Sequence, residues 1–236
     1  MGTDIHANFQ FYHYQHNSWV DVEYPDYITK RMPYRPFPKK YRLNNFHNAH
    51  PMWINRDYAI FSLLCGVRRS GYKVIPITTM KGLPEGHNLK GADGGLYTQN
   101  GRFMGRHGFS WVTLKELIEY PFWDGDIGYC GYIKCIQYND FIANNRRPRE
   151  WAMDITGLEV YKFTEQEWLA ECKLGSSLSK AKYDHHWEDQ RYVWVEWNVP
   201  CKENWVYKTL GPVMLEMAKD RNLEVENVRM VFGFDS

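Results

Sequence analysis

The sequence predicts an α+β fold with a mainly antiparallel sheet, packed helices and long functional loops, all within a single domain spanning 1–236. Three observations lead there. The chain opens on a run of alternating polar and apolar residues that doubles back as a hairpin. Helix and strand signals then follow in irregular order, without the strand–helix rhythm that a parallel sheet needs. No internal repeat, composition shift or linker divides the chain.

In the first strand, Asp4, His6, Asn8 and Gln10 alternate with Ile5, Ala7, Phe9 and Phe11. Side chains of a strand point to opposite faces in turn, so this segment reads as half-buried, with one apolar face and one polar working surface. Residues 3–12 and 18–23 pair around a His16-Asn17-Ser18 turn, and Trp19, Val20 and Val22 give the return strand its β-propensity. Over 24–53 the periodicity vanishes, and Lys30, Arg31, Arg35, Lys39, Lys40 and Arg42 are interleaved with Tyr34, Phe37 and Tyr41. A stretch of that length reads as a functional basic loop whose charge suits an anion.

Asn55 is a suitable N-cap for a helix reaching about Val67, with Ile60, Phe61, Leu64 and Val67 on one stripe. Tyr72–Thr78 reads as an edge strand interrupted by Pro76, and 82–108 as a glycine-rich loop carrying His87, Asp93 and His107. Thr113 and Glu116 form a capping box for the next helix, with Leu114, Leu117 and Ile118 as its buried side. Further strands are expected at Gly131–Tyr138 and Leu158–Phe163, the latter leading into a helix capped by Thr164 and Glu167. On that helix Trp168, Leu169 and Cys172 form the apolar side. Residues 176–189 are polar and expected to be exposed, and 191–199 alternate as a strand. Gly211-Pro212 opens a helix with Met214, Met217 and Ala218 facing inward, since a proline at the first turn loses no hydrogen bond. A last strand places Val228, Met230, Phe232 and Phe234 on one face.

Composition narrows the function classes. A formal net charge of +1 argues against duplex DNA as a partner. No apolar run approaches the roughly 20 residues of a membrane span, and the start lacks a basic and apolar leader, so a cytoplasmic location is expected. The five cysteines are scattered without a Cys-x-x-Cys pair, which suits buried free thiols. Aromatic residues make up 17% of the chain, and Tyr and Trp line pockets for planar or phosphorylated ligands as readily as they fill a core.

No P-loop, nucleophile elbow, His-Glu-x-x-His helix or dinucleotide-binding glycine fingerprint is present. The chemistry therefore has to come from smaller constellations. Asp4 and His6 supply either half of a metal site or an acid–base pair, and mixed carboxylate and imidazole ligation suits zinc, manganese or iron. His107, within Arg106-His107-Gly108-Phe109-Ser110-Trp111, is the best further ligand and precedes a capped helix whose N–H groups favour an anion. Arg229 and Asp235 share the polar face of the last strand about 20 Å apart, so only one of them can join a common pocket. Asp184-His185-His186, His47 and His50 read as surface residues.

Several patches in order resemble a family of uncharacterised phage and bacterial proteins that open on Gly-Cys-Asp-Ile-His. They are Gly2-Thr3-Asp4-Ile5-His6, Arg56-Asp57-Tyr58-Ala59-Ile60-Phe61, Gly66-Val67-Arg68, Lys81-Gly82-Leu83-Pro84, His107-Gly108-Phe109-Ser110-Trp111 with Thr113-Leu114-Lys115-Glu116-Leu117, and Val228–Asp235. The resemblance runs from end to end and groups Asp4, His6, Arg56, Arg68, His107, Ser110, Arg229 and Asp235. Two departures stand out: Thr3 replaces the usual Cys, and Gly108 replaces a Ser beside the imidazole.

Two functional expectations follow. In the first, Asp4, His6 and His107, with Asp235, hold a divalent metal or act as acid and base. Arg56, Arg68, Ser110, Trp111 and Arg229 then bind a phosphorylated or nucleotide-like molecule that is hydrolysed, as in countering a host defence signal. In the second, the same arginines and aromatics sequester such a molecule, or the protein covers a host defence protein through the 24–53 loop, without catalysis. The sequence sets no limit on self-association.

Overall fold

The computed structural model describes residues 4–22, 52–54, 58–85, 89–90, 96–97, 105–156, 160–173 and 190–235. Most of the expected basic loop (24–51), Asn55, Arg56, His87, Asp93 and the segment 174–189 lie outside the described residues. In chain order the strands are β1 (Asp4–His13), β2 (Ser18–Asp21), β3 (Met52–Ile54), β4 (Tyr72–Lys73), β5 (Leu89–Lys90), β6 (Leu96–Tyr97), β7 (His107–Thr113), β8 (Asp126–Lys134), β9 (Tyr161–Phe163), β10 (Arg191–Pro200) and β11 (Val228–Asp235). The α-helices are α1 (Tyr58–Cys65), α2 (Leu114–Glu119), α3 (Tyr138–Ala143), α4 (Glu165–Lys173) and α5 (Gly211–Asp220). This is an α+β fold with predominantly antiparallel sheets. Backbone contacts group it into two compact units, one of Met1–Arg69, Ile75–Gly125 and Cys201–Ser236, the other of Ser70–Val74 and Asp126–Pro200.

The first unit holds a five-stranded antiparallel sheet in the order β2-β1-β11-β7, with β3 also paired to β1. The expected hairpin is there, its turn closed by Asn17 at φ 49°, a left-handed conformation that asparagine tolerates better than most residues. On the apolar face, Ile5, Ala7 and Phe9 of β1 and Val228, Met230, Phe232 and Phe234 of β11 are at most 1% exposed. Helix α1 packs here, its Phe61 ring 5.1 Å from that of Phe234. Every residue of α1 from Ala59 to Cys65 is buried, so this helix is enclosed all round and not along a single stripe. Helix α5 buries Val213, Met214, Met217 and Ala218, as its sequence pattern predicts.

The expected open polar face is the first correction. Asn8 (0% exposed), Gln10 (1%) and Arg229 (4%) are as inaccessible as the apolar residues behind them. At these positions the sheet is buried on both sides, while Trp19 and Trp111 on the same face are partly exposed.

The second correction concerns His107, which belongs to a strand and not to a loop before the helix. Ser110 pairs with Phe232 and His107 with Phe234, so Gly108 and Phe109 together face the single residue Gly233. This is a β-bulge, and its extra residue breaks the alternation along β7. Gly108 takes φ +62°, and a Cβ there would lie 2.5 Å from Phe234 Cδ2. The bulge therefore needs glycine on two independent grounds, conformation and space.

In the second unit a four-stranded sheet runs β4-β8-β10-β9, antiparallel except where β9 pairs parallel with β10. Ile133, Cys135, Tyr138, Phe141, Val193, Val195 and Trp197 form its core. The expected strand over Gly131–Tyr138 in fact leaves the sheet after Lys134, turns through Cys135–Gln137 and continues as α3, which brings Tyr138 and Phe141 into that core. Helix α4 has its expected cap, with Thr164 Oγ1 accepting from the Glu167 N–H at 3.2 Å. Its expected apolar side is overturned, since Leu169 is 41% exposed and Cys172 is exposed. Only Trp168, 5.7 Å from Phe163 between ring centres, packs inward. Among the described residues no helix is long and apolar enough to cross a membrane.

Gly108→Ala is expected to destabilise the protein by about 1–3 kcal/mol, from left-handed strain and the collision with Phe234. Urea unfolding followed by tryptophan fluorescence measures it. A neutral result would show that the bulge can be rebuilt with an alanine.

Candidate functional site

One rung of the first sheet crosses four strands and carries most of its buried polarity. The register sets Asp21 of β2 beside Gln10 of β1, Gln10 beside Arg229 of β11, and Arg229 beside Thr113 of β7. Hydrogen bonds follow the rung. Arg229 Nε donates to Gln10 Oε1 at 2.9 Å, and Gln10 Nε2 donates to Asp21 Oδ1 at 2.8 Å. Asn8, one step along β1 on the same face, donates through Nδ2 to the same Oδ1 at 2.6 Å. The Gln10 amide has one workable orientation here, because a guanidinium only donates and a carboxylate only accepts. Gln10 thus bridges a buried cation and a buried anion that are not directly joined.

Two atoms of the network are left over. Arg229 Nη2 and Asp21 Oδ2 are buried and make no hydrogen bond. Buried polar atoms in that state cost free energy comparable to a lost hydrogen bond, and they mark places where a further partner fits.

Aromatic rings frame the guanidinium. Arg229 Cζ lies 3.8 Å from the centre of the Trp19 ring and 5.7 Å from that of Trp111. Burial lowers the Arg229 pKa to about 10, a fall opposed by the nearby Asp21 charge, so the group is still a cation at neutral pH. Further along, Lys81 Nζ sits 3.8 Å over the Trp111 ring and 2.5 Å from Glu116 Oε1. Glu116 closes the predicted capping box, its Oε2 accepting from the Thr113 N–H at 2.9 Å while Thr113 Oγ1 accepts from the Glu116 N–H at 3.1 Å. Burial pushes the Glu116 carboxyl up, but the hydrogen bonds from Lys81 and Thr113 together outweigh it and hold the group below its ordinary value.

The residues singled out from sequence fall in several places. Arg229 and Trp111 belong to the cluster just described. Ser110 does not, because its hydroxyl accepts from the Lys81 N–H and donates to the Thr79 carbonyl, each at 3.1 Å, fastening the 79–81 segment to β7. Arg68 lies just beyond α1 at φ +57°, exposed, with its carbonyl accepting from Ser62 Oγ and its guanidinium 5.8 Å from the Tyr58 ring. Arg56 is outside the described residues. At the far end of the sheet from Arg229, Asp4 is directly opposite Asp235 in the β1–β11 register, and His6, opposite Gly233, is two residues along β1. His107 is opposite Phe234 and its ring centre is 6.4 Å from the Phe234 ring, on the apolar side of the sheet and away from the His6 position. Among the described residues no three His, Cys, Asp or Glu side chains are placed to hold a metal ion.

Sequence reasoning missed Trp19 and Asp21. Their signal was the hairpin register, since the turn length brings Asp21 beside Gln10. Comparison with protein-family models, curated proteins and solved structures found no match to this chain.

Asp21→Ala removes the acceptor shared by two buried amides and a counter-charge to Arg229, and is expected to cost about 3–5 kcal/mol of stability. Asp21→Asn keeps an acceptor at Oδ1 and should cost clearly less, as read from denaturation midpoints of the two variants. The lowered carboxyl of Glu116 contributes stability above the unfolded-state value of about 4.3, and that contribution is lost as pH falls through the lower native value. The stability gap between wild type and Glu116→Gln should therefore close as the solution is acidified below about pH 4. A gap independent of pH would mean that the Lys81–Glu116–Thr113 contacts contribute nothing through charge.

Proposed function

We propose that the protein binds a small nucleotide-like or phosphorylated molecule on the polar face of its five-stranded sheet, with Arg229 as anchor and Trp19 and Trp111 as flat walls. The observation that carries this reading is a buried guanidinium, stacked on an indole, that retains an N–H group without a partner. Arginine–aromatic pairs with a free donor are a recurrent way to hold flat or anionic ligands. The resemblance to phage and bacterial proteins suggests the setting, removal of a host defence signal from solution. Inhibition of a host protein is the alternative occupant of the same role.

A catalytic extension has its own support. Two aspartates directly opposed across β1 and β11, with a histidine two residues from one of them, are the residue types that hold zinc, manganese or iron. Such an ion would polarise a phosphoester and supply a bound water as nucleophile at that end of the sheet, away from Arg229. His107 is not part of this extension.

Titration calorimetry with nucleoside mono-, di- and cyclic monophosphates is expected to detect binding that weakens by about tenfold or more in Arg229→Lys, which loses the planar fork. Circular dichroism of the variant checks that the fold is kept. Absence of binding by every probe would overturn the proposal. Elemental analysis after reloading with each ion decides the catalytic extension: about one metal per chain, lost in Asp4→Ala/His6→Ala, is the expected result, and none in wild type leaves a binder only.

A further inference from the structure

We infer that the Arg229–Gln10–Asp21 rung reads the edge of a nucleobase, or of a heterocycle with the same donor and acceptor arrangement, and does not grip a phosphate; this rests on the binding reading above. The argument starts from charge. A phosphate site gathers donors and excludes carboxylates, because a second negative charge within the cluster repels the ligand. Here the anchor cation is accompanied by Asp21, which is 6% exposed and tied to it through one amide. The pair is neutral overall. Its two leftover atoms are of opposite kinds, since Arg229 Nη2 can only donate and Asp21 Oδ2 can only accept. Their complement is a ligand edge that presents an acceptor and a donor together, which a nucleobase does and a fully ionised phosphate ester, all acceptors, does not. Trp19 and Trp111 beside the guanidinium supply the flat apolar contact that a ring needs. The network also fixes which oxygen of Asp21 is available. Oδ1 already accepts from Asn8 and Gln10, so only Oδ2 can receive a proton donor from a ligand.

An isosteric inversion tests this. In Asp21→Asn the two amides hold the side-chain oxygen at the Oδ1 position, which puts an NH2 group where Oδ2 stood. The acceptor becomes a donor at nearly constant shape. Calorimetry of the full chain would use adenosine, guanosine, cytidine and uridine as one set of probes, and ribose 5-phosphate and pyrophosphate as the other. At least one nucleoside is expected to bind wild type, and to bind Asp21→Asn about tenfold or more weakly, because two donors then face each other. Nucleoside affinity that is unchanged in the variant would overturn the inference. Binding of the phosphate probes alone, equal or tighter once the carboxylate is gone, would overturn the inference and leave the proposed function standing. No binding by any probe would overturn both.

Discussion

Eight consecutive register pairs, from Asp4–Asp235 to Phe11–Val228, join β1 to β11, and the first unit is organised around them. This pairing places the two strands at the centre of the sheet, with β2 and β3 on one side and β7 on the other. An antiparallel sheet often leaves one face to water, but here Asn8, Gln10 and Arg229 are as buried as the apolar residues behind them, so these strands must suit an interior in both directions. On one face that demand is met by packing alone, with Phe234 of β11 against Phe61 of α1. The other face carries an arginine and two amides from these same strands and an aspartate from β2, and such groups are tolerated inside only when they satisfy each other. Gln10 is the element that makes this work, because its amide lies between Arg229 and Asp21 and faces a cation with its oxygen and an anion with its nitrogen.

The sheet's edge then completes the enclosure. Lys81 lies over Trp111, Glu116 ties Lys81 to the cap of α2, and Ser110 fastens the same segment through its hydroxyl. A short helix is thereby coupled to the indole that stands beside Arg229.

Much of the fold was legible because its signals are local. The opening hairpin, both capping boxes, the alternation of β10 and the proline-led α5 each depend on residues a few positions apart. The departures share a different origin. Cys135–Tyr138 are apolar enough to continue a strand, and only the space beside Val193 and Trp197 decides that they turn into α3. Polar residues on alternate positions of β1 look solvent-facing until β2 and β11 supply their partners from 11 and 219 positions away. His107 is the sharpest case: strict alternation sets it with Trp111, and a single bulge at Gly108 moves it to the other side of the sheet. His107 is thereby set apart from the His6 face, while Asp21 and Trp19 reach the buried Arg229 network from a neighbouring strand whose register no single-strand pattern reveals.

The β1–β11 pairing also has a consequence for the order in which the chain matures on the ribosome. Of the described strands β1 comes first along the chain and β11 last, so the centre of the first sheet cannot close until the stretch between them has emerged, and β1 must wait with its apolar residues uncovered. The second unit faces no such delay, since β4, β8, β9 and β10 are all complete by Pro200. Nascent chains would therefore carry one finished sheet and one waiting strand, and the Asp21–Gln10–Arg229 rung would be among the last contacts to form.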